Sequence, residues 1–185
     1  MTAAASSAVA RTDRLDRWLD VLDIREALAE YFRALGAGDA ARAAGLFLPD
    51  AHEHHGPVSG PAHDLTGQFV ANATSMYSAT VRHVLDAKVD VAGDTALSEA
   101  GWFNILQQGD RDCFYAGRYL DRWQRYDDDW RIAARVAVVD WWRVDRRGDI
   151  PFYEGAEAIL RFAGRGLDDP EIRACLGLPT GEAAP

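Results

Sequence analysis

Between Tyr115 and Trp142 the chain reads YAGRYLDRWQRYDDDWRIAARVAVVDWW, two apolar stretches joined by the acidic turn Asp127-Asp128-Asp129. The first stretch sets Tyr115, Gly117, Tyr119 and Trp123 against Phe114, Ala116, Arg118 and Leu120. The second sets Ile132, Ala134, Val136 and Val138 against Ala133, Arg135, Ala137 and Val139. Alternation with apolar residues on both sides describes a long β-hairpin at the centre of a sheet, covered on both faces. The segments before it must supply that cover.

They have the right character. Trp18, Val21, Ile24, Leu28, Tyr31 and Leu35 form one stripe of a helix from about Asp13, and Gly36-Ala37-Gly38 stops it. Asp39 caps a shorter helix through about Phe47, closed by Pro49-Asp50. Residues Ala51 to Gly60 read as a short strand or loop, and Pro61 opens a third helix that buries Phe69, Val70, Ala73, Met76 and Tyr77. A strand follows from Thr80 to Val91, with Val81, His83, Leu85, Ala87, Val89 and Val91 on one face and Arg82, Asp86, Lys88 and Asp90 on the other. Thr95 to Gln107 is its partner, and a last helix is expected over Tyr153 to Ala163. Helices first and antiparallel strands second make an α+β fold, with a cavity for a small molecule between the layers.

At 185 residues the chain is read as one domain over residues 13–165, with a disordered tail at 1–12 and an extension at 166–185. A net charge of -9 argues against nucleic acid and anionic membrane surfaces as partners. No apolar run is long enough to span a bilayer, and MTAAASSAVA lacks the basic and leucine-rich parts of a signal peptide. Cys113 and Cys175 define no disulfide framework, so a cytoplasmic location is expected. Dinucleotide-binding, phosphate-loop and nucleophile-elbow motifs are missing, and no cofactor is expected.

Several segments together resemble the SnoaL-like group of the nuclear transport factor 2-like superfamily. They are IREALAEYFRAL from Ile24, Phe47 with Asp50-Ala51, His55-Gly56, His83, and Val91 to Ala96. The hairpin adds Gly117-Arg118-Tyr119 with Asp121-Arg122, Trp130-Arg131-Ile132, and Arg135 to Trp141. The resemblance implies a cone in which N-terminal helices pack on a strongly curved, mostly antiparallel sheet enclosing a cavity. Dehydratases, isomerases, polyketide cyclases and noncatalytic subunits share that fold, so it does not choose a reaction.

His83 is read as a lone histidine on the cavity side of its strand: a core residue, or, by the resemblance, a general base. Tyr31 is either a core tyrosine or, by the same resemblance, a group that polarises a substrate oxygen. Gly36 departs from the dehydratase-like pattern, which has an aspartate there to orient the histidine; Asp140 is the candidate replacement. Arg118 and Arg135 are read as ion-pair partners or as binders of an anionic oxygen. His55, Phe69, Trp102, Tyr115 and Trp141 are expected to line the pocket and to favour a flat, hydrophobic ligand. The run His52-Glu53-His54-His55 with His63 raises a metal alternative that lacks a full ligand set.

The expected function is cofactor-independent dehydration, isomerisation or cyclisation of a small hydrophobic oxygenated molecule by a homo-oligomer, a dimer or trimer. A noncatalytic ligand-binding or structural protein is the alternative.

Overall fold

The computed structural model describes residues 2–147 and 169–179, with side chains from Asp13 onward. Helix α1 (Thr2–Ala37) is followed by α2 (Ala40–Ala44), β1 (Phe47–His55), β2 (Val58–Pro61) and α3 (Ala62–Met76). The strands β3 (Ala79–Ala92), β4 (Thr95–Gln108), β5 (Arg111–Tyr126) and β6 (Asp129–Arg146) come next, and α4 (Pro170–Cys175) ends the described chain. The six-stranded sheet has the order β2-β1-β6-β5-β4-β3. All neighbours are antiparallel except β1 and β6, which run parallel. The α+β class and the curved, unclosed sheet agree with the expectation from sequence. The helix expected over Tyr153 to Ala163 lies outside the described residues.

Helix α1 packs by its predicted stripe: Ile24 and Leu28 are fully buried, with Tyr31 and Leu35 close behind. Trp18 does not continue that stripe and is exposed. Helical backbone also extends back to Thr2, where a disordered tail was expected. Asp39 caps α2 as read, accepting from the Arg42 N–H at 3.0 Å, but that helix ends at Ala44. Phe47 already belongs to β1, whose backbone continues through Pro49 and Asp50. Asp20 ties the helix to the turn end of the hairpin, accepting from Arg125 at 2.6 Å and from the Trp130 indole at 3.1 Å.

The hairpin turn is tight, with Asp127 at φ 50° and Asp128 at φ 67°, and Tyr126 pairs with Asp129. Two positive φ values match a type I′ turn, whose twist suits the flanking strands. Tyr119 and Trp123 face inward on β5, as the alternation predicts.

Three β-bulges curve the sheet and change which residues face in. On β6, Ala133 is the extra residue between Ile132 and Ala134, so Ile132, Arg135 and Ala137 share the inner face. Asp140 is the extra residue between Val139 and Trp141. On β3, Val84 pairs with Trp102 and Ala87 with Ala100, leaving Leu85 and Asp86 together opposite Gly101. A bulge of this kind reverses the inside and outside of everything beyond it. Ala87, Val89 and Val91 pack on the core as expected, but in the first half of β3 Arg82 and Val84 point inward and His83 points out. Gly101 permits the crowding: a Cβ there would stand 2.9 Å from Asp86 Oδ1. Helix α1 secures the same spot, where Arg25 donates to the Ala87 carbonyl at 2.7 Å.

Gly117 is a position where only hydrogen fits. A Cβ there would collide with the Val138 carbonyl and stand 2.5 Å from Trp102 Cζ2. Gly117→Ala is therefore expected to destabilise the fold by about 3 kcal/mol, read as a lowered midpoint in urea unfolding. An unchanged midpoint would refute this account of the Trp102 packing.

Candidate functional site

Helices α1 and α3 and the inner face of the sheet enclose a cavity of about 430 Å³. Its apolar wall includes Leu35, Val58, Val70 and Leu106, and its aromatic wall Phe69, Trp102, Tyr115 and Tyr119. Among the lining residues the ionisable side chains are His55, Arg82 and tyrosines; no aspartate or glutamate reaches the wall. Such a space suits a flat, mostly apolar molecule held by a few polar contacts.

His55 comes to the wall because β1 alternates Ala51, Glu53 and His55 inward against exposed His52 and His54. Its Nε2 lies 2.7 Å from Glu53 Oε1, and its ring packs on Phe69 with centroids 4.5 Å apart. Glu53 is fully buried. The carboxylate accepts the Nε2 proton, which leaves Nδ1 as the lone-pair nitrogen, without a partner among the described residues.

Beneath this pair lies Arg135, also fully buried and paired in register with Glu53. Its Nε and Nη2 donate to the two Asp121 oxygens at 2.7 and 2.8 Å. The guanidinium lies 4.3 Å from the Tyr31 ring centre and 4.0 Å from that of Tyr119. Burial raises the Asp121 carboxyl, and the Arg135 charge opposes the rise. Burial also pushes the Tyr119 phenol up to about 12 and the Tyr31 phenol well above its ordinary value, with Arg135 pulling both back. Both tyrosines are thus neutral at ordinary pH, and neither hydroxyl has a hydrogen-bond partner among the described residues.

The cavity brings together Tyr31, His55, Phe69, Trp102 and Tyr115 from the expected set. Arg135 lies behind the wall, in the ion pair with Asp121. Four expected residues are elsewhere. His83 is exposed on the outer face of β3, because the bulge at Leu85-Asp86 gives the inward position to Arg82. Arg118 and Asp140 form a bidentate pair at 2.8 and 3.0 Å on the outer face, where Arg118 also meets Glu99. Trp141 pairs with outward Ala116 and is half exposed. Asp140 therefore cannot orient a cavity histidine, and its carboxyl is held low by the hydrogen bond from Arg118.

Glu53, Arg82 and Asn104 were missed. Glu53 carried a signal, standing two residues before His55 in a strand-like alternation, but it was grouped with the histidine run. His52 and His54 instead flank the Ser59 hydroxyl at 3.2 and 2.7 Å, and His63 donates to the Leu48 carbonyl at 3.2 Å. Among the described residues no three histidine, cysteine or acidic side chains form a metal-holding group.

The SnoaL-like domain profile matches residues 16–136. No curated protein sequence matches significantly. Solved structures of similar fold include a hexachlorocyclohexane dehydrochlorinase, LinA type 2, at 16% identity and TM-score 0.65, covering 77% of this chain and 98% of that one. A scytalone dehydratase-like protein from Novosphingobium aromaticivorans matches at 17% identity and TM-score 0.64, over 75% and 97%. Rv3472 from Mycobacterium tuberculosis, of unknown function, matches at 21% identity and TM-score 0.62, over 68% and 74%. Identities this low speak for the fold alone.

Removing one member of a buried ion pair strands the other's charge. Asp121→Asn or Arg135→Met is expected to cost about 3–5 kcal/mol, and a double replacement by apolar residues to recover much of it. Denaturant unfolding of both single variants and the double variant measures the coupling, and additive losses would contradict the pairing.

Proposed function

Because the chain belongs to the SnoaL-like domain family, we propose that it is a cofactor-independent enzyme of lyase or isomerase type in which His55 is the general base. The substrate is a small hydrophobic, oxygenated molecule of polyketide, steroid or terpenoid character. One observation carries this reading: a carboxylate-bound imidazole, Glu53–His55, stands in the wall of an otherwise apolar and aromatic cavity. The relatives named as dehydratase and dehydrochlorinase agree with elimination chemistry on this fold.

The reaction starts with a substrate C–H beside a carbonyl. His55 Nδ1 takes the proton while Glu53 holds the Nε2–H and steadies the imidazolium that forms. The electron pair moves onto the carbonyl oxygen as an enolate. The neutral hydroxyls of Tyr31 and Tyr119 are the nearby donors for that oxygen, and a dry site strengthens such bonds. Return of the proton to another carbon isomerises the substrate; loss of a β-hydroxyl, protonated by the imidazolium, releases water.

A ligand-binding protein without chemistry is the second reading, favoured by Gly36. A Cβ there meets nothing within 4 Å, so the end of α1 next to cavity-lining Leu35 offers no carboxylate. Proton abstraction separates the two readings. β-Tetralone in deuterium oxide should exchange its α-hydrogens faster with the protein than in buffer, followed by NMR. His55→Gln should slow the catalysed exchange by about 100-fold or more, whereas His83→Gln should leave it intact. Folded His55→Gln that exchanges at the original rate would sink the assignment.

The outer face of the sheet supports association between copies. Leu85, Leu97, Val136 and Trp141 are all exposed there, and exposed apolar residues gathered on one face mark a contact surface. Light scattering after size exclusion should give two or three times 20.4 kDa. A species of monomer mass alone would rule the oligomer out.

A further inference from the structure

We propose that the cavity selects substrates bearing a carboxylate and that Arg82 is the residue that binds it. This deepens the reading of the cavity as a substrate site and rests on it.

Arg82 is half-buried, lines the cavity and makes no hydrogen bond or ion pair with any described residue. Its Nε is buried and unpartnered. The other arginines drawn toward the core are matched: Arg135 by Asp121 and Arg125 by Asp20. The chain carries a net charge of -9, yet among the described residues no acid lines this wall. A cationic side chain drawn into an apolar wall, with its Nε out of water and no counter-ion, is better satisfied when a ligand supplies one. A carboxylate fits best, because two parallel N–H bonds match its two oxygens.

A second donor points the same way. Trp102 pairs with Val84, two residues beyond Arg82, whereas Asn104, the register partner of Arg82, buries an unpartnered Oδ1 that suits a ligand hydroxyl. The Trp102 indole Nε1–H is buried without an acceptor and lines the same cavity. Guanidinium and indole thus present donors with no protein acceptor. Bulge geometry, not chance side-chain orientation, holds Arg82 inward. Phe69, Trp102 and Tyr115 supply walls for the planar, apolar remainder of the ligand.

The test compares β-naphthoate with its neutral isostere β-naphthamide by isothermal titration calorimetry on the full chain. Naphthoate should bind at least about tenfold more tightly; Arg82→Gln should abolish the preference, and Arg82→Lys should keep part of it. Naphthoate affinity should also fall with added sodium chloride while that of the amide stays level, a readout that needs no variant. Equal affinities, a preference that survives Arg82→Gln in folded protein, or no binding of either probe would overturn the proposal. The readout is equilibrium binding, so the loss of His55 as a base would leave it standing, and its own failure would leave the exchange result untouched.

Discussion

Arg135 brings a permanent charge into the interior, and the surrounding structure is arranged to hold it. Asp121 meets it with both oxygens, the Tyr31 and Tyr119 rings pack against the guanidinium from two adjoining sides, and Glu53 is its register partner in the neighbouring strand. These groups come from α1, β1, β5 and β6, so one cation joins the helical layer to the sheet. Such a pair adds little net stability compared with apolar packing, but losing one partner is expensive. Its more useful effect is to fix relative position. Pairing of β1 with β6 keeps Glu53 in register with Arg135, and His55 is bonded to Glu53. The candidate base is therefore placed by strand pairing beside this cluster.

The same cluster shows why β1 was hard to read. Its inward positions are Ala51, Glu53 and His55, a pattern that hydropathy assigns to a loop. Burial of Glu53 makes sense only beside Arg135, far away in the chain, and no local rule connects them. Helix α1 was legible because its cover is apolar and its period is regular. The hairpin turn was legible too, since consecutive aspartates tolerate the left-handed conformation it needs. Phe69 followed from the buried face of its helix, and Trp102 and Tyr115 from alternation along β4 and β5.

Where alternation failed, it failed for one mechanical reason. A sheet that must wrap a long helix has to bend, and it bends by doubling residues opposite one partner. Each doubling moves the next stretch to the other face. His83 and Asp140 are consequently outer-face features, whereas Arg118 faces out by plain alternation along β5. Hydrophobic character gave no warning, because Val81, Leu85 and Trp141 are apolar and exposed. Gly117 was the available hint, since it stands where the Val138 carbonyl and the Trp102 ring come too close for a side chain.

Arg82 and His83 are neighbours on a strand whose faces are assigned by the bulge opposite Gly101. Were the strand regular there, its first half would sit one residue further along its partner, with the imidazole on the cavity side and the guanidinium in water. Backbone register, at residues outside the cavity wall, thus decides whether that wall carries a fixed charge or a proton carrier.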